Sequence, residues 1–243
     1  MTDNSQQYNL GLRAFLDGSP TPFHAVKSMT RLLEAAGFTA LDESEQWALK
    51  PGTKHFVTRN GSSIIAFVVG SESLGKSGMR LAGAHTDSPC LMVKPLPEIT
   101  KAGYFQLGVE VYGGALLNPW FDRDLSIAGR VVYRDADKQL KQTMVDFERP
   151  VAMIPSLAIH LDREANAGRT VNAQTDIPPL LMLAPKGSKA TDFRALLAET
   201  FLPAKAEVLD FELCLYDTQP AAMVGLKEEF LASARLDNLL SCY

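Results

Sequence analysis

Over residues 23–36 the apolar positions Val26, Met29, Leu33 and Ala36 recur at the interval of a helix face, Pro22 stands at the start and Gly37 follows the end. Proline fits the first helical turn and glycine the position just past the last, so the spacing predicts a helix. The period then shortens. Residues 55–59 and the apolar run 64–69 flank Asn60-Gly61, a pair that readily takes the positive φ angles of a two-residue turn, which predicts a hairpin. A Gly/Ser-rich loop over 70–78 leads into 79–85, an apolar segment predicted as a short strand that ends on His85.

From about Lys94 strands dominate. Phe105, Leu107, Val109 and Val111 alternate with Gln106, Gly108, Glu110 and Tyr112, the period of a strand with one face on a core and one toward solvent. Similar strands are predicted over 127–133, 142–147 and 208–215, interrupted by a helix over 192–201 whose Phe193, Leu196, Leu197 and Phe201 share a face. The chain therefore divides into an α/β part over 1–93, a mostly β module over 94–232 and a return segment over 233–243. That last stretch reads as a strand end passing into a helix. A helix of one or two turns buries little, so the chain is expected to be truncated at Tyr243.

Composition narrows the function classes. The chain has 243 residues, 46% of them hydrophobic, enough for a real core. The net charge is -4, from Lys+Arg 24 against Asp+Glu 28, and no basic run stands out, so no nucleic-acid partner is expected. Three widely spaced cysteines form no CxxC pair and no disulfide framework. The polar N-terminus lacks the pattern of a signal peptide and no apolar run is long enough to span a bilayer, so a cytoplasmic setting away from the membrane is expected. No GxSxG, Walker or Rossmann pattern occurs.

The candidate chemistry starts at Ala82-Gly-Ala-His-Thr-Asp-Ser-Pro89. A histidine at the C-terminal end of an apolar strand occupies the ligand-binding side of an open α/β sheet. An Asp two residues on can hold the far imidazole nitrogen. The same pattern also reads as a surface loop with a turn-forming Asp. In Arg235-Leu-Asp-Asn238, Asp237 reads either as a helix N-cap or as a carboxylate bridging two cations. His160 lies in an apolar context suited to a packed histidine. Glu228 and Glu229 fall in a predicted strand, where neighbours point to opposite faces, and are not assigned as catalytic acids.

Taken together, Ala84-His-Thr-Asp-Ser-Pro89, Tyr112-Gly-Gly114, Asn118-Pro-Trp-Phe-Asp-Arg-Asp-Leu125, Ile154-Pro155 with Leu157-Ala-Ile-His-Leu161, and Arg235-Leu-Asp-Asn238 resemble the M18 metallopeptidases, whose best-known activity is aspartyl aminopeptidase. The resemblance implies an α/β/α zinc-peptidase-like catalytic domain interrupted by an inserted β-rich dimerisation domain. It implies that His85 and Asp237 are zinc ligands, Asp237 bridging two ions, with Asp87 as the partner of His85. It also implies that His160 reaches an active site across a subunit interface. The implied reaction is removal of N-terminal residues, acidic ones above all, from peptides by a water that two zinc ions activate. The implied assembly is dimers building a dodecamer.

The family's general-base Glu and its remaining ligands lie downstream of the Asp-Asn motif, so this chain alone is expected to be inactive. A different reading is a non-catalytic, self-associating assembly module. A third is the neighbouring M42 aminopeptidases, which share a His-x-Asp pattern and an inserted domain but not the wording of 118–125.

Overall fold

The computed structural model describes residues 3–184 and 191–243, which form two compact units, one of residues 3–88 with 220–243 and one of the described residues between 89 and 219. The division falls at 88/89 and 219/220, not at the expected 93/94 and 232/233. Two observations account for the shift. The strand that opens the second unit already begins at Cys90, and Ala221 and Leu231 pack into the core of the first.

The first unit contains helices α1 (Asp3–Asp17) and α2 (Pro22–Ala35), followed by a three-stranded sheet of β1 (Thr39–Ala40), β2 (Lys54–Arg59) and β3 (Ser63–Val68) in the order β1-β2-β3. Leu12, Phe15 and Leu16, at helical spacing on α1, bury themselves with Ala25, Ala221 and Leu239. The hairpin forms with Asn60 and Gly61 at φ 55° and 65°. Its register pairs Arg59 with Ser63, however, so Ser62 is an additional loop residue and the turn is longer than the two residues expected.

A short helix α3 (Leu74–Ser77) follows, and no strand forms over 79–85. No segment among the described residues lies alongside to share a hydrogen-bond ladder, and Leu81 is 85% exposed. Much of β3 is likewise uncovered, with Ile65 67% exposed.

The second unit is a six-stranded sheet, made of β4 (Cys90–Lys101), β5 (Tyr104–Tyr112), β6 (Leu125–Arg134), β7 (Leu140–Asp146), β8 (Leu180–Leu183) and β9 (Glu207–Asp217). Its order is β7-β6-β9-β4-β5-β8 and every pair is antiparallel. The β4–β5 register shifts between Val93 and Glu98. Pro95 and Pro97 lie there, and neither has an N–H to give to a ladder.

Helix α5 (Phe193–Phe201) starts with the Asp192 carboxylate accepting the Ala195 N–H, a side-chain cap, and buries Phe193 and Leu197 among the sheet residues. At Gly129 a Cβ would collide with the main chain of Glu212, so close approach of β6 to β9 requires glycine there. A 3-10 turn (Asn118–Trp120) and helix α4 (Ala165–Gly168) lie in the connections. Back in the first unit, the hairpin β10 (Ala222–Val224) and β11 (Phe230–Ala232) leads to α6 (Leu236–Cys242). No described helix is long and apolar enough to cross a membrane.

Candidate metal centre

Three of the sequence-predicted residues come together in the first unit. His85 sits in the irregular segment between α3 and β4, fixed by its neighbours rather than by a sheet. The Thr86 hydroxyl donates to the Ser62 carbonyl at 2.7 Å, the Cys242 thiol to the His85 carbonyl at 3.3 Å, and the Ser88 hydroxyl to the Asp237 carbonyl at 2.7 Å. These bonds tie the His-x-Asp segment to the hairpin and to α6.

The imidazole is half exposed and lies between two acidic residues. Its Nδ1 is 2.9 Å from the Asp87 main-chain carbonyl and 3.3 Å from Asp87 Oδ1. A carbonyl can only accept, so Nδ1 carries the proton, and in the neutral ring Nε2 is left with its lone pair. Nε2 faces Asp237 Oδ1 at 3.2 Å. The hydrogen bond to the Asp87 carbonyl, then the negative charges of Asp87 and Asp237, hold the His85 pKa above its ordinary value against partial desolvation.

Asp237 is not the N-cap of α6. Arg235 takes that place with φ 60°, and no side chain caps the helix. Asp237 has non-helical backbone angles, φ -90° and ψ 105°, and is joined to Asn238 by a cis peptide bond. Its carboxylate meets the imidazole instead. Arg235 is anchored in turn by its guanidinium donating to the Leu16 carbonyl at 3.0 Å.

The donor pair fits one ion. Two donors each about 2.0–2.1 Å from a tetrahedral zinc stand about 3.3 Å apart, and the Nε2 to Oδ1 separation is 3.2 Å. The set is partial, since no group of three or more His, Cys, Asp or Glu side chains able to hold a metal occurs among the described residues, whereas a catalytic zinc takes about three protein ligands. His160 belongs to the other unit, in an exposed turn where the N–H groups of Leu161 and Asp162 both bond the Ala158 carbonyl. The hydrogen bonds of Ser88 and Cys242 were not expected from the sequence, although Ser88 lies in the His-x-Asp motif. Ser88 and Asp237 are 149 positions apart, and no local pattern links such residues.

A histidine and a carboxylate at single-ion spacing, with the far imidazole nitrogen already tied down, form a pair of donors of the kind a metal-dependent hydrolase uses. The chain belongs to the M18 family: residues 15–243 match the family described as aminopeptidase I zinc metalloprotease (M18). The "Probable M18 family aminopeptidase 2" of Ectopseudomonas mendocina (strain ymp) is 59% identical over 240 residues, 96% of this chain and 55% of that protein. The chain thus spans about half the length of the curated relatives it matches.

Among solved structures, the cryo-EM structure of the Ape4 and Nbr1 complex is similar with a TM-score of 0.90 and 38% identity, over 98% of this chain and 49% of that one. The S. cerevisiae mApe1 dodecamer is similar with a TM-score of 0.78 and 27% identity, over 98% of this chain and 54% of that one.

Proposed function

We propose that this chain is the N-terminal part of a zinc metallo-aminopeptidase that removes N-terminal residues from peptides, Asp and Glu by preference, with two zinc ions per subunit as cofactor. The observation that carries the reading is the His85 Nε2 to Asp237 Oδ1 separation of 3.2 Å, with the opposite ring nitrogen held by Asp87. His85 offers the Nε2 lone pair as a ligand. Asp87 keeps the proton on Nδ1 and fixes the ring plane, which makes Nε2 the better donor. The Asp237 side chain is 77% exposed, so its second oxygen is accessible to a second ion, as a bridging carboxylate requires. When bound, zinc supplies a Lewis acid for the scissile carbonyl and lowers the pKa of water toward neutrality.

In the same reading the α/β unit is one part of an α/β/α catalytic domain and the six-stranded unit is the inserted dimerisation domain. His160 reaches peptide bound in a second subunit, where an imidazole can hold substrate or stabilise developing charge. The similarity to the mApe1 dodecamer supports an assembly of dimers into a dodecamer.

The test uses the full-length polypeptide, loaded with zinc and offered aspartyl and leucyl p-nitroanilides. Faster release from the aspartyl compound, abolished by a chelator and restored by zinc, is the expected result. Zinc-dependent release from the leucyl compound alone removes the acidic preference, and no release from either removes the peptidase.

The partial donor set and the uncovered apolar residues Ile65 and Leu81 favour a second reading for residues 1–243 alone, a self-associating module without catalysis. Size-exclusion chromatography of that chain with zinc analysis decides it. A defined oligomer without zinc supports the module, and a monomer rejects it.

A further inference from the structure

The exposed turn that carries His160 grows from a root that is built to hold it. Asp122 follows the 3-10 turn with φ 58°, a conformation that costs any residue with a Cβ and that Asp tolerates better than most. Its own N–H donates to the Ile154 carbonyl at 2.9 Å, and its Oδ1 accepts the Ser156 N–H at 2.8 Å. One residue thus grips the chain on both sides of Pro155, whose ring already restricts Ile154 to extended angles. Arg169 closes the other side. Its guanidinium lies 3.8 Å over the Phe121 ring, and its Nη1 donates to the Ser156 hydroxyl at 3.3 Å.

The apolar residues of the root are buried, with Ile154 1% and Phe121 8% exposed, while Asp122 itself is exposed and Ser156 and Arg169 are half-buried. Beyond Ser156 the chain emerges at once: Leu157, Ile159 and Leu161 are exposed, and the turn that holds His160 is closed by its own main-chain bonds to Ala158. Ser156 is thus the last residue held by the root before the exposed turn begins. Glycine would relieve the backbone at 122 but would leave the Ser156 N–H without its acceptor.

We propose that Asp122 and Arg169 are positioning residues for His160: they clamp Ser156 and so aim the exposed turn at the site His160 serves. The inference rests on the reading above, in which His160 acts on peptide held by a second subunit. A side chain that acts in trans gains nothing from its own turn's rigidity unless the root is fixed as well, because a displacement of about 1 Å at the reacting centre can cost up to about 100-fold in rate.

The test uses the assembled, zinc-loaded, full-length protein and the faster of the two p-nitroanilides. Asp122→Gly keeps the backbone angle available and deletes the acceptor. It is expected to lower kcat about tenfold with KM within about twofold, the signature of lost transition-state positioning. Asp122→Asn, which tolerates the same φ and keeps a carbonyl acceptor, recovers most of that loss. Arg169→Met, which retains an apolar contact with Phe121, gives a smaller drop in kcat.

The deciding measurement is the double variant. If Asp122 acts through His160, Asp122→Gly adds no further loss in a His160→Ala background. An equal loss in both backgrounds overturns the proposal. So does a loss explained wholly by fewer assembled particles with normal kcat per particle. If His160→Ala alone leaves kcat unchanged, the reading of His160 has failed and the clamp has nothing to aim. If His160→Ala lowers kcat and Asp122→Gly does not, only the clamp has failed.

Discussion

The two units of this chain divide the work of folding and of chemistry unequally. In the six-stranded unit, β6 and β9 run through a closed core in which Leu125, Ile127, Leu213 and Leu215 are at most 1% exposed, and α5 seals Phe193 and Leu197 into it. In the α/β unit, the tightly packed residues gather around α1, α2 and α6, while Ile65, Val68 and Leu81 are open to solvent. Yet the α/β unit holds the proposed metal donors, on irregular segments tied by side-chain hydrogen bonds, whereas the unit with the larger core carries His160 on an exposed turn. A finished core and a finished site are separate achievements, and this chain has the first only in its β unit.

That contrast is sharpest in the full-length protein, where His85→Ala or Asp237→Ala is expected to reduce hydrolysis to background and to release zinc, without moving the thermal transition of the β unit. Persistent zinc-dependent turnover in either variant breaks the assignment of the donors. Within the β unit, Leu213→Ala removes a fully buried side chain and is expected to cost about 2–5 kcal/mol in urea unfolding. The matched change in the α/β unit, Leu81→Ala, is expected to cost no more than about 0.5 kcal/mol. Similar costs at the two positions would show that the segment over 79–85 is packed after all.

Asp87→Asn retains the main-chain carbonyl that binds Nδ1 and loses only the carboxylate charge. Zinc affinity measured by competition with a chelator is expected to fall about tenfold, the low end for such outer partners. The smallest effect concerns the clamp. The Ser156 N–H and hydroxyl, then the Arg169 charge, hold the Asp122 carboxyl below its ordinary range. Its stabilising contribution is therefore present above the unfolded pKa of about 3.9 and is lost as pH falls through the lower folded value. The stability difference between wild type and Asp122→Asn is expected to shrink as acid unfolding is followed below about pH 4.

Much of this architecture was legible in the sequence where local chemistry decides. Pro22 and Gly37 bracket α2, with Gly37 at φ 81° past its end, and the apolar face of Phe193 and Leu197 marks α5. Asn60-Gly61 turns the hairpin, although the extra Ser62 in the loop depends on strand register rather than on the dipeptide. Helix α1 was missed because its first half is polar and its apolar residues, Leu12, Phe15 and Leu16, cluster at the end. Strand β4 was hidden by Pro95 and Pro97, which interrupt the pattern at the point where the strand bulges.

The predicted strand over 79–85 failed for a tertiary reason, since an apolar run becomes a strand only beside another strand. At the site, His85, Asp87 and Asp237 stood out as motifs, and their meeting over 3.2 Å is a matter of folding that spacing does not contain. The roles of Ser88, Cys242 and Asp122 were not legible, although Ser88 and Asp122 lie within the quoted motifs, because each acts on a partner's main chain, which any residue would supply.

The central claim is that His85 and Asp237 hold zinc together, and the most direct measurement is the zinc content of the purified full-length protein, wild type against His85→Ala, after exhaustive dialysis. About two zinc ions per subunit in the wild type, with at least one lost in the variant while the oligomer persists, is the expected result. Equal zinc in both proteins would contradict the account.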